Sequence, residues 1–93
     1  MREYQKVPGK NKGKVILYAL STCVWCTKTK NLLNDLEIEY EYVYMDQLDQ
    51  DVEDRFNQHH EKWNPKCSYP TLIINDEKCI VGYNEEEIRG LLA

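Results

Sequence analysis

No apolar run in this 93-residue chain is long enough to cross a bilayer. The longest, residues 15–20 and 72–74, are strand-sized, where a spanning helix needs about 20 residues. No stretch near the start combines an apolar core with a small-residue cleavage site, so no secretory signal is expected. Repeats and low-complexity tracts are absent too, and the length and 42% hydrophobic content fit one domain with a modest packed core. Positive charge is scarce beyond the start. Residues 1–14 hold Arg2, Lys6, Lys10, Lys12 and Lys14 against Glu3, a local +4 that leaves −8 for the remainder of a chain whose formal charge is −4. Such a body repels nucleic acid and favours partners with a positive docking surface. The basic start, residues 1–13, contains Pro8, Gly9 and Gly13 and is expected to be a frayed, solvated tail, or else a docking arm for an acidic partner. Four cysteines without a secretory signal do not make a stapled extracellular scaffold, so a soluble protein of the reducing cytoplasm is expected.

What is present is a succession of short patterns filling residues 14–93. Residues 15–20, Val-Ile-Leu-Tyr-Ala-Leu, are continuously apolar, as a strand buried on both faces requires. Ser21 and Thr22 suit a helix start, and Thr29, Leu32, Leu33 and Leu36 then recur at three- and four-residue spacings over residues 26–36. Ile38, Tyr40, Tyr42 and Tyr44 alternate with Glu37, Glu39, Glu41 and Val43, which predicts a strand whose early half is exposed, as at a sheet edge. Leu48, Val52, Phe56, His59 or His60, and Trp63 form the stripe of a second helix over residues 49–63, ended by Asn64-Pro65. Residues 71–74 and 78–81 predict a hairpin through Asn75-Asp76-Glu77, with Pro70 at the first strand position. Asn84 is a plausible N-cap for a last helix over residues 85–92, whose acidic first turn suits the helix dipole. The order βαβαββα gives an α/β fold, a mixed four-stranded sheet flanked by three helices.

Chemistry concentrates at Cys23-Val24-Trp25-Cys26, between the first strand and the first helix. Two cysteines separated by two residues at a helix start can close a small disulfide ring, and the unpaired amides of the first turn can stabilise a thiolate there. The site lies at the C-terminal end of the first strand, where open α/β sheets usually place their chemistry. Lys28 and Lys30 are expected on a solvated helix face, where Lys28 would add positive charge near the cysteine pair. Cys67 is placed by the fold towards the same end of the sheet, as a small loop residue or a third redox thiol, and Cys79 is assigned to strand packing. A zinc reading draws on Cys23, Cys26, Cys67 and one of His59 or His60, but the spacing fits no compact zinc module. No metal site is assigned.

Three landmarks in order, Cys23-Val24-Trp25-Cys26, Ser68-Tyr69-Pro70 and Gly82-Tyr83, make the chain resemble the thioredoxin superfamily, and within it a glutaredoxin or glutaredoxin-like redoxin. The resemblance covers roughly residues 14–92 and implies a thioredoxin-like fold. It also implies that Cys23 is the nucleophile, Cys26 the resolving cysteine and Pro70 a cis-proline that leaves the Tyr69 backbone free to pair with substrate. Trp25, Ser68, Tyr69, Pro70, Gly82 and Tyr83 are the implied substrate-binding residues. The implied activity is thiol–disulfide oxidoreduction, a dithiol electron carrier reducing protein disulfides, with no tightly bound cofactor. Glutathione-using members usually carry a basic residue where this chain has Leu20, proline at Val24 and a glycine pair at Gly82-Tyr83. Glycine followed by an aromatic is similar to the redoxins that feed ribonucleotide reductase and are reduced by a thioredoxin-reductase-type enzyme. A glutathione-dependent glutaredoxin, with glutathione as co-substrate, is the alternative. An iron–sulfur cluster is less expected while Cys26 is present, and a monomer is expected.

Overall fold

The computed structural model describes residues 4–93. The chain runs through β1 (Gln5–Val7), β2 (Val15–Ala19), α1 (Val24–Asp35), β3 (Tyr40–Tyr44), a 3-10 turn at Met45–Gln47, α2 (Gln50–Trp63), β4 (Thr71–Ile74), β5 (Lys78–Val81) and α3 (Glu85–Leu92). The sheet has five strands in the order β1-β3-β2-β4-β5. β2 pairs parallel with β3 and antiparallel with β4.

β2 is central, and its unbroken apolarity follows from that position. Val15, Leu17 and Ala19 join a cluster with Leu32, Leu33, Ile80, Ile88 and Leu92, the side covered by α1 and α3. Ile16 and Tyr18 point the other way, with Val43, Met45, Phe56 and Ile73, under α2. Alternate residues of one strand thus feed two cores, and every one of the five is buried.

The structure corrects two expectations at the sheet edge. The sheet has five strands, not four, because part of the expected tail is built into it, and the strand at residues 40–44 is interior rather than an edge. Gln5, Lys6 and Val7 pair antiparallel with Tyr42, Glu41 and Tyr40. Residues 1–3 of that tail lie outside the described residues. Hydrophilic composition concealed the strand because only two apolar side chains anchor it. Val7 packs against one core cluster. Tyr4 stacks on Phe56 at 5.1 Å between ring centroids and shares a 3.1 Å hydrogen bond with the Tyr18 hydroxyl. Gly9 then lets the chain touch the backbone before β3: a Cβ there would lie 2.6 Å from the Ile38 carbonyl carbon, closer than real contacts allow.

The hairpin is as expected. Asn75 and Asp76 both have positive φ, and the Glu77 N–H donates to the Ile74 carbonyl at 3.0 Å, the geometry of a turn whose twist matches the strands. Asn84 caps α3 through a 3.1 Å bond from the Glu87 N–H to its side-chain oxygen.

Candidate redox site

The first landmark follows β2 across the short loop Leu20-Ser21-Thr22. Ser21 is fastened to the 3-10 turn that follows β3: its N–H donates to the Asp46 carboxylate at 2.9 Å, and its hydroxyl donates to the other carboxylate oxygen. Those bonds hold the Asp46 carboxyl below its usual range. The Cys23 N–H closes the loop onto the Leu20 carbonyl at 3.2 Å. Cys23 itself is the N-cap of α1, so the helix begins at Val24, two residues earlier than its apolar spacing suggested. The Cys26 N–H donates to Cys23 Sγ at 3.2 Å, which sets an amide donor against that sulfur. Cys23 is half-buried and Cys26 is 1% exposed. Burial first, then the hydrogen bond and charge of Cys23, push the Cys26 thiol well above the usual thiol range. The two sulfurs therefore stand in unlike environments.

The second and third landmarks meet the first. The Tyr69-Pro70 peptide bond is cis, and Pro70 lies just before β4 rather than in it. The Gly82 N–H donates to the Pro70 carbonyl at 2.8 Å, tying the two loops together, and Gly82 has φ +82°, which a side chain rarely adopts. Trp25, Tyr69, Pro70, Gly82 and Tyr83 line one open groove of about 290 Å³. Trp25 and Tyr83 stack at 6.0 Å between ring centroids, with the Lys28 ammonium 4.6 Å from the Trp25 ring. Cys23, Tyr69 and Tyr83 all pack against the cluster that contains Cys26. Among the described residues, the Tyr69 N–H and carbonyl have no partner within the chain.

Ser68 is not in that lining. Its carbonyl accepts from the Thr71 hydroxyl at 2.8 Å and from Asn64 Nδ2 at 3.3 Å, while its own hydroxyl accepts from Asn64 Nδ2 at 3.0 Å. His60 completes the group, with Nε2 2.9 Å from the Thr71 hydroxyl and its ring stacked on Tyr18 at 4.9 Å. His60 is fully buried and its Nδ1 has no partner, so protonation there would place an N–H with no acceptor in the core. Burial depresses its pKa below 6.5, and His59, bonded to the Tyr18 hydroxyl, shifts the same way. Between the depressed folded value and about 6.5 the unfolded chain binds more protons, so stability falls as pH drops through that window and is complete above it. The urea midpoint should decline from pH 7 to pH 5, and His60→Asn should flatten that decline.

The remaining thiols, Cys67 and Cys79, are both half-buried. Cys67 is half-buried at φ +49°, and burial followed by the charge of Glu61 raises its pKa, while burial alone raises that of Cys79. All four cysteines are free. Among the described residues no three His, Cys, Asp or Glu side chains gather as metal ligands. Three contributors escaped the sequence reading: Asp46, Asn64 and Thr71. Each acts through partners that only the folded chain brings close.

A central parallel pair, a dithiol at the head of the first helix and a cis-proline loop beside it define a redoxin of the thioredoxin superfamily. A family model described as Glutaredoxin matches residues 15–80. The crystal structure of a glutaredoxin from Methanosarcina mazei is 50% identical, with a TM-score of 0.90, covering 98% of this chain and 88% of that one. A methanoredoxin from Methanosarcina acetivorans is 47% identical, with a TM-score of 0.88, over 91% and 90% of the two chains. An uncharacterised glutaredoxin-like 8.6 kDa protein in a rubredoxin operon of Clostridium pasteurianum is 31% identical over 77 residues, 82% of this chain and 93% of that protein. The chain belongs to the glutaredoxin family and is a glutaredoxin-like redox protein. No helix among the described residues is long and apolar enough to cross a membrane.

Proposed function

We propose that this protein is a dithiol electron carrier that reduces disulfides of other proteins and works in the cytoplasm. The observation that carries the reading is the pairing of a half-buried Cys23 with a buried Cys26 at the head of α1, beside the groove walled by Tyr69 and Pro70. The Cys23 thiolate attacks one sulfur of a substrate disulfide. That S–S bond breaks, a mixed disulfide forms, and the first substrate sulfur leaves as a thiolate that takes up a proton. Cys26, after losing its proton, attacks the Cys23 sulfur and expels the second substrate thiolate. Two electrons pass from the dithiol to the substrate, and Cys23 and Cys26 are left joined.

A polypeptide substrate suits the surroundings. Val24 is 66% exposed and Trp25 55%, so an apolar surface flanks the nucleophile. The unpartnered Tyr69 N–H and carbonyl offer a substrate backbone the two hydrogen bonds of an added strand. As reductant, a thioredoxin-reductase-type enzyme fits better than glutathione. Leu20 stands where glutathione-using relatives carry a basic residue, and it packs against the core cluster under α2. The test compares reduction of the oxidised protein by glutathione with reduction by such a reductase and NADPH. Faster reduction by the reductase is expected. Efficient turnover with glutathione as sole reductant would instead make the protein a glutathione-dependent glutaredoxin.

A further inference from the structure

Directly behind the groove lies a closed hydrogen-bond group that the chemistry of the two thiols does not use. Its centre is the Thr71 hydroxyl, which is fully buried, as is His60; Asn64 is 5% exposed. A hydroxyl has one hydrogen and two acceptor positions. The hydrogen is committed to the Ser68 carbonyl at 2.8 Å, so the contacts from Asn64 Nδ2 at 3.0 Å and His60 Nε2 at 2.9 Å are both donated to Thr71. This fixes His60 as the tautomer protonated on Nε2, and it explains why Nδ1, a bare lone pair, is left without a partner. Every position of the hydroxyl is filled, and its three partners come from α2, from the residue after α2, and from the loop before β4.

The group brackets the groove wall. Ser68 precedes Tyr69-Pro70 and Thr71 follows it, so both ends of the cis-proline segment are bonded to one another and to side chains at the end of α2. His60 also packs against the Tyr69 ring, 5.1 Å between centroids. We propose that Thr71, with Asn64 and His60, positions the Tyr69-Pro70 wall and thereby sets the affinity for a polypeptide disulfide without altering the reactivity of Cys23. Thr71, Asn64 and His60 are thus positioning residues. Strand-like pairing to Tyr69 requires its N–H and carbonyl to be held at fixed angles, and a wall free to shift spends binding energy on being ordered. The inference rests on the reading of the groove as a docking site for protein substrates.

The experiment measures kcat and KM for reduction of insulin disulfides with dithiothreitol as electron source, alongside the rate at which iodoacetamide alkylates Cys23. Thr71→Val keeps the shape and removes the hydroxyl, whereas Thr71→Ser keeps the hydroxyl and removes a buried methyl. KM should rise about five- to tenfold in Thr71→Val, the worth of roughly one hydrogen bond. The kcat and the alkylation rate should stay within about twofold. Thr71→Ser should retain the wild-type KM even though it melts earlier, which separates positioning from stability. Asn64→Ala, which removes the amide donor to Thr71 and Ser68 but leaves the Thr71 hydroxyl and its bond to the Ser68 carbonyl, should repeat the KM rise and serves if Thr71→Val folds poorly. An unchanged KM in both variants, or equal KM rises in Thr71→Val and Thr71→Ser, would overturn the inference. Trp25→Ala tests the underlying reading separately. If Trp25→Ala raises KM and the Thr71 and Asn64 variants do not, only the positioning role falls; if none raises it, the docking groove itself falls.

Discussion

Cys23→Ser should abolish reduction of protein disulfides, lowering turnover of insulin by about a thousandfold or more, while leaving the fold intact. The two halves of that expectation have separate causes. A serine hydroxyl is not ionised near neutral pH and does not exchange with disulfides, so the first bond-forming step is lost outright. The fold is spared because Cys23 serves locally as the N-cap of α1, accepting the Cys26 N–H, and serine is among the best residues for that position. Thermal unfolding followed by circular dichroism should therefore show a midpoint at or slightly above that of the wild type. The same protein without substitution should lose one thiol to iodoacetamide faster than the other three, and mass mapping should place the label on Cys23. Retained turnover in Cys23→Ser would transfer the nucleophile's role to another thiol. Cys67, the half-buried cysteine three residues before Pro70, would be the first to test.

The order of elements, the parallel pair and the two loops that meet the dithiol were legible because each leaves a local mark. Continuous apolarity marked β2, paired positive-φ residues marked the hairpin, and a capping asparagine marked α3. The strand β1 left almost none. Its pairing partner is more than thirty residues away, its residues are mostly polar, and its anchors are one tyrosine and one valine. The start of α1 was misplaced for a related reason. Val24 and Trp25 are exposed at the head of the helix, so the apolar spacing does not register them, although the cap at Cys23 sets the helical turn. At the site, the folded chain brings Trp25, Tyr69, Pro70, Gly82 and Tyr83 to one groove, while Ser68, expected beside them, bonds to Asn64 and Thr71. A sequence motif marks which residues lie near a site and not which way their polar atoms turn. The anchoring of Ser21 by Asp46 has the same character, since it spans 25 residues and depends on β3 ending beside the redox loop.

Removing the second thiol should give a different failure from removing the first. Cys26→Ala is the better substitution than serine, because a hydroxyl at a position 1% exposed would be buried with uncertain pairing, at a cost of about 1–3 kcal/mol. Cys23 remains able to attack, so the pre-reduced variant should form a mixed disulfide with a substrate protein in one turnover. With no internal thiol to resolve it, that adduct should accumulate in nearly one-to-one yield, visible as a band lost on reduction in gel electrophoresis and as the summed mass. In the wild type the adduct should be fleeting, although burial holds Cys26 in its protonated form. Once the Cys23 sulfur is bonded to substrate it no longer carries the charge that opposes ionisation of Cys26, and the Leu20 backbone bond that favours the Cys26 thiolate remains. Resolution is thereby coupled to capture. The outcome also divides the two proposed reductants. A dithiol carrier fed by a reductase needs Cys26 and should lose nearly all steady-state turnover in Cys26→Ala. A glutathione-dependent enzyme can have its mixed disulfide resolved by external glutathione, so wild-type turnover of Cys26→Ala with glutathione alone would sink the dithiol reading and establish the other.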